Sequence, residues 1–170
     1  MSAKYLKRIH KEMEALKKQK CFVAFGKSDT EYKILARVNG PDKTAFRDKH
    51  YYIKIVVNIN NYPLKAPQVT FVSKIYHPNV SGTSICLDVI NEKWSPILGL
   101  ETIVLSIQNL LNCPNPKDPL DSGAADDYMA KGKKKFYERN KKLDEENKTM
   151  EDTKGWITNS LGMAPELVIN

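Results

Sequence analysis

Cys21, Cys86 and Cys113 are the only thiols in the 170 residues, and Cys86 has the setting of a nucleophile. It lies in KIYHPNVSGTSICLDVINEKWSPILG (74–99), where hydrophobic periodicity fails and Pro78, Gly82, Pro96 and Gly99 interrupt regular structure. A long irregular segment inside a compact chain exposes side chains and is more often functional than idle. A thiol placed there suits attack on an activated carbonyl, because the thioester formed stays reactive toward amines. The structural alternative for any cysteine is a small buried apolar residue.

Three neighbours could serve that chemistry. His77 stands nine residues before Cys86 and is the nearest of three histidines, with His10 and His50 farther off. A cysteine protease would need one of them as a base beside the thiol. Ahead of Pro78, however, His77 equally suits a turn held by hydrogen bonds, and no local protease signature surrounds Cys86. Asn79 carries an amide that can donate to an oxyanion during acyl transfer, or bond backbone in the same turn. Asp118, in PNPKDPL (114–120), could orient an incoming ammonium and take its proton; the competing use is a turn aspartate before proline. Asp88 is a further carboxylate two residues from the thiol. No Cys-x-x-Cys pair exists, so no metal site is expected, and three scattered cysteines make no disulfide framework.

The elements that must position these residues follow from periodicity. Leu6, Ile9, Met13 and Leu16 recur at spacings of three and four, which predicts an amphipathic helix over about residues 3–19, with Ser2 as a candidate cap. Strands are expected at 21–25, 31–38, 50–60 and 68–73. Tyr51, Ile53, Ile55, Val57 and Ile59 share one face of the third. Short spacers favour an antiparallel meander. A helix returns over 100–112, with Ile103, Ile107, Leu110 and Leu111 inward, and two more are expected near 121–131 and 133–148. Asp121 or Ser122 is the candidate cap of the former, and Phe136 and Leu143 mark the inner stripe of the latter.

KIYHPNV (74–80), ICLDVI (85–90), WSP (94–96), LSIQNLL (105–111) and PNPKDPL (114–120), in that order and at that spacing, resemble the core of ubiquitin-conjugating enzymes. KRIHKEMEAL (7–16) and NYPLKAPQVTF (61–71) are similar to family segments as well. The resemblance implies the α+β UBC fold: an N-terminal helix, a four-stranded antiparallel meander sheet, a central helix and C-terminal helices. It implies a conjugating core over 1–148 and leaves 149–170 as a C-terminal extension without a template.

The resemblance also implies roles. Cys86 would accept ubiquitin from the activating enzyme as a thioester and pass it to a substrate lysine. Asn79 would support the oxyanion or the adjoining loop, and Asp118 would position the lysine. Lys4, Lys7, Arg8 and Lys11 would meet the activating enzyme and ligases. Leu64, Ser95, Pro96 and Ile97 would dock ligases of the RING or HECT type. No cofactor is expected on this chain, since ATP is consumed by the activating enzyme and no phosphate-binding loop is present. Three departures stand out. The Asn79–Cys86 loop is one residue shorter than in many members, Thr44–Lys49 lacks paired glycines, and Cys113 stands where an acid or alanine is common.

Net charge is +7, concentrated in the N-terminal segment and in 131–142. Two solvated helix faces account for it, and without interleaved stacking aromatics it argues against nucleic acid as a partner. No apolar run reaches the ~20 residues needed to cross a bilayer, and the charged N-terminus lacks an apolar signal core. A cytoplasmic or nuclear location and no membrane partner are expected. A ubiquitin-like modifier as the tag, or a non-catalytic ubiquitin-binding role, are the other readings; the latter fits poorly with Cys86 in place.

Overall fold

A computed structural model describes residues 3–169, and the side chains of Ala3, Lys4 and Val89 lie outside that description. The candidate cap Ser2 also lies outside the described residues. Helix α1 (Ala3–Lys18) leads into strands β1 (Phe22–Lys27), β2 (Glu31–Asn39), β3 (His50–Asn58) and β4 (Gln68–Phe71). All four pair antiparallel in chain order, so the meander expectation holds. A short hairpin, β5 (Val80–Ser81) with β6 (Ser84–Ile85), precedes helices α2 (Leu100–Asn112), α3 (Ser122–Met129) and α4 (Lys134–Glu151). The Asp121 side chain caps α3 by accepting from the Ala124 N–H.

Among the described residues, the four expected strands are joined by a fifth. Helix α5 (Trp156–Leu161) and strand β7 (Leu167–Val168) come from the tail, and β7 pairs antiparallel with β1. The expected boundary at 148/149 falls inside α4, which runs on to Glu151. Sequence periodicity missed β7 because a two-residue strand has no period to show.

One face of the sheet carries Ile34, Ala36, Ile53, Ile55, Val57 and Phe71 against Ile9, Met13 and Leu16 of α1 and Ile103, Ile107 and Leu111 of α2. The other face buries Ala24, Leu35 and Tyr52 under Leu161, with Trp156, Ile157 and Met163 around them. A register irregularity between Phe22 and Ala24 lets β1 serve both sides: Phe22 joins the main core and Ala24 the smaller one. The link from β2 to β3 does without paired glycines by inserting Phe46 into the core. Gly40 is required there, since a Cβ would lie 1.7 Å from the Phe46 carbonyl oxygen. Among the described residues, no helix is long and apolar enough to cross a membrane.

Candidate active site

The irregular segment is held by side chains from three helical regions. Two buried asparagines seven apart on α4 treat it as a strand. Asn147 accepts from the Lys74 N–H at 2.7 Å and donates to the Lys74 carbonyl at 2.8 Å. Asn140 accepts from the Tyr76 N–H at 3.0 Å and donates to the Tyr76 carbonyl at 2.9 Å. Each satisfies a backbone pair that would otherwise be buried unpaired. Sequence reasoning missed both. The available signal was two short amides at helical spacing on the same face as Phe136.

His77 is fully buried. Its Nε2 donates to the Leu110 carbonyl at 3.1 Å, and its Nδ1 accepts from the Asn79 N–H at 3.0 Å. Burial pushes its pKa down to about 4, against a smaller opposing effect of the Leu110 bond. With both ring nitrogens engaged by backbone, it is a neutral strut and not a base for Cys86. His10 instead meets the Tyr32 hydroxyl at 3.0 Å, and His50 pairs with Glu151 at 3.5 Å. The protease arrangement is therefore absent among the described residues.

Asn79 is 2% exposed, and its side chain is fully used. Oδ1 accepts from the Asn115 N–H at 2.8 Å, while Nδ2 donates to the carbonyls of Asn115 at 2.8 Å and Asp118 at 3.2 Å. Of the two uses implied for it, supporting the adjoining loop is the one this geometry shows. Both amide protons are taken, so neither is free for an oxyanion. The Pro78 carbonyl adds two bonds to the same stretch, from the N–H groups of Leu120 and Asp121. Asp118 is thereby placed by the backbone on either side of it.

The loop from Asn79 to Cys86 closes as the β5–β6 hairpin. Gly82 takes the left-handed conformation at its turn (φ +57°), where a side chain would be strained. The Cys86 N–H then donates to the Asn79 carbonyl at 3.0 Å. The thiol is half-buried and opens into a groove of about 510 Å³ whose walls include Asp88, Asn109, Cys113, Asn115 and Asp118. Cys86, Asn79 and Asp118 thus come together around one groove. Cys113 ends α2 in the same groove, whereas Cys21 is half-buried elsewhere. Burial first, then the carboxylates of Asp118, Asp88 and Glu92, hold the Cys86 thiol above its ordinary pKa. The free thiol keeps its proton near neutral pH, and the same negative surroundings attract an ammonium.

The residues expected to meet partners also converge. The Trp94 indole donates to the Pro63 carbonyl at 2.8 Å, which ties the Leu64 loop to the loop of Ser95, Pro96 and Ile97. Leu64 is 68% and Ile97 87% exposed, and Pro96 is exposed beside them. From α1, Lys7 and Lys11 are exposed, while the Lys4 side chain lies outside the described residues. Arg8, the fourth residue expected to meet partners, is tied to the chain itself. It donates to the Pro96 carbonyl at 2.5 Å and the Leu98 carbonyl at 2.6 Å, and it pairs with Glu12 at 2.6 Å. Glu12 also accepts from the Tyr62 hydroxyl at 2.5 Å and the Leu100 N–H at 3.0 Å, so a carboxylate sits at the start of α2.

A helix-backed sheet that presents one half-exposed thiol in a groove with a carboxylate on a fastened loop is suited to carrying an acyl group. A family model described as ubiquitin-conjugating enzyme matches residues 8–144. Ubiquitin-conjugating enzyme E2 N of Drosophila melanogaster is 46% identical over 90 residues, 52% of this chain and 59% of that protein. Ubiquitin-conjugating enzyme E2 13 of Saccharomyces cerevisiae is 42% identical over 93 residues, 54% of this chain and 60% of that protein. The chain thus spans under two thirds of the length of these relatives. The solved E2 domain of a Toxoplasma gondii ubiquitin conjugating enzyme superposes with a TM-score of 0.68 at 31% identity, covering 81% of this chain and 95% of that one. The chain belongs to the ubiquitin-conjugating enzyme family.

Proposed function

We propose that this chain is an active ubiquitin-conjugating enzyme. Cys86 Sγ attacks the thioester of ubiquitin on an activating enzyme, releases that enzyme's thiol, and holds ubiquitin as a new thioester. A substrate lysine amine then attacks the carbonyl, an amide forms, and the Cys86 thiol leaves. Asp118 draws the ammonium into the groove and helps it lose a proton, and Asn79 keeps Asp118 in place. The observation that carries this reading is the half-exposed Cys86 thiol sharing one groove with Asp118.

Lys4, Lys7, Arg8 and Lys11 serve the activating enzyme and ligases, and Leu64, Ser95, Pro96 and Ile97 form the ligase contact. ATP is consumed by the activating enzyme, and no cofactor resides on this chain. The setting is cytoplasmic or nuclear. A ubiquitin-like modifier is the second reading, and the net charge of +7 gives it modest support.

Charging assays with several tags in parallel test both. With activating enzyme, ATP and ubiquitin, the chain forms an adduct that thiols cleave, and Cys86→Ser gives a thiol-resistant ester or none. Absence of an adduct with every tag removes the enzymatic reading, and charging by another tag alone selects the second.

A further inference from the structure

A cleft of about 510 Å³, separate from the thiol groove, lies between the tail and the strand β1 side of the sheet. Small-molecule sites have this size. Its basic wall is Lys17, Lys20 and Arg37, and its apolar wall includes Trp156, Ile157 and Ile169. Among the described residues, no carboxylate lines it. Glu14 accepts from Lys17 at 2.5 Å and Glu151 from Tyr52 at 3.3 Å, but both stand outside the lining.

Arg37 is the unusual member. Its Nη2 donates to the Lys20 carbonyl at 3.0 Å, yet its Nε is buried with no hydrogen-bond partner among the described residues. A buried N–H without an acceptor is destabilising. Lys17 is paired with Glu14, but Lys20 and Arg37 share a wall with no facing carboxylate among the described residues and repel one another. One anion in the cleft offsets that repulsion.

We infer that this cleft binds a small organic phosphate, its anionic groups on Lys20 and Arg37 and its flat apolar body against Trp156 and Ile169. Guanidinium suits phosphate because its donors match the spacing of two oxygens. An indole beside the cations receives a flat ring. Trp156, Ile157 and Ile169 belong to the tail, whereas Lys20 and Arg37 belong to the body. A bound ligand therefore clasps the tail to the sheet and slows its opening. This binding does not depend on the chemistry proposed for Cys86.

The test is calorimetric titration of the full chain with ADP and, separately, with pyrophosphate, at low salt. Hydrogen exchange of residues 156–169 is followed with and without ADP. The expected result is saturable ADP binding with a dissociation constant below about 1 mM. Pyrophosphate binds about tenfold more weakly, and ADP slows exchange in the tail. Arg37→Gln weakens ADP about tenfold. That variant also loses the bond to Lys20, so Lys20→Gln, at an exposed position, is the second probe and weakens ADP by a similar factor. Absence of saturable ADP binding, unchanged affinity in both variants, or pyrophosphate binding as tightly as ADP would each overturn the assignment.

Discussion

Asn79 and Asn115 bond each other twice: Oδ1 of Asn79 accepts from the Asn115 N–H and Nδ2 donates to the Asn115 carbonyl, both at 2.8 Å. Together with the bond to the Asp118 carbonyl, this makes a buried amide the fastener of the loop that carries the groove's carboxylate. Asn79→Ala leaves one part-buried N–H and two carbonyls without their partner, which costs about 1–3 kcal/mol. We expect chemical denaturation to show that loss. Single-turnover discharge of a preformed Cys86 thioester to lysine should slow more than its formation does. A variant as stable as wild type would contradict the fastening role.

The carboxylates around Cys86 raise its pKa, so removing one lowers it. Asp118→Asn should shift the pH midpoint of Cys86 alkylation by iodoacetamide downward and speed alkylation at pH 7. Lysine discharge should slow at the same time, because the ammonium loses its counter-charge. A midpoint that stays or rises would show that Asp118 does not act on the thiol electrostatically.

Arg8 and Lys7 are adjacent in sequence and unlike in structure. Arg8→Ala removes the clasp on the Pro96 and Leu98 carbonyls and should cost about 2 kcal/mol, a figure reduced for its partial exposure. Lys7→Ala, at an exposed site, should change stability by less than about 0.5 kcal/mol. Paired thermal melts separate the two, and charging by the activating enzyme should be weaker in the Lys7 variant without a change in melting temperature.

His77 is held neutral, with its pKa lowered to about 4 by burial. The unfolded chain, with an ordinary histidine near 6.5, binds the proton more readily. The stability this group contributes is present above about pH 6.5 and falls away as pH drops toward 4, by about 3 kcal/mol at most. The imidazole resonances of His77 should stay in the neutral position down to about pH 5. Titration near pH 6.5 would refute the buried-strut assignment.

The tail covers Leu35 and Tyr52 on the outer sheet face, and Gly26 leaves room for Met163, whose sulfur would lie 2.7 Å from any Cβ placed there. The Trp156 ring packs against Tyr52 at a tilt of 53°, with centroids 4.8 Å apart. Trp156→Ala should lower the stability of the whole fold by about 2 kcal/mol, less than for a fully buried tryptophan. Coincident unfolding by near- and far-ultraviolet dichroism would show one cooperative unit. Independent melting of the tail would show that it is a separate unit.

What the sequence determined is local. Period-two runs produced β2 and β3, period-3.6 stripes produced α1 and α2, and the motifs around Cys86, Asn79 and Asp118 marked the groove, because these signals depend on residues near one another in the chain. Tertiary structure decided the rest. Whether the Asn79 amide bonds a loop or faces an oxyanion depended on where Asn115 and Asp118 arrived, more than 35 residues on. Whether Arg8 was a surface cation depended on the carbonyls of Pro96 and Leu98, some 90 residues away. The two α4 asparagines and the β7 strand likewise have meaning only beside their distant partners. A polar group's role is set by which acceptor or donor it meets when water is removed, and that meeting is a property of the folded chain.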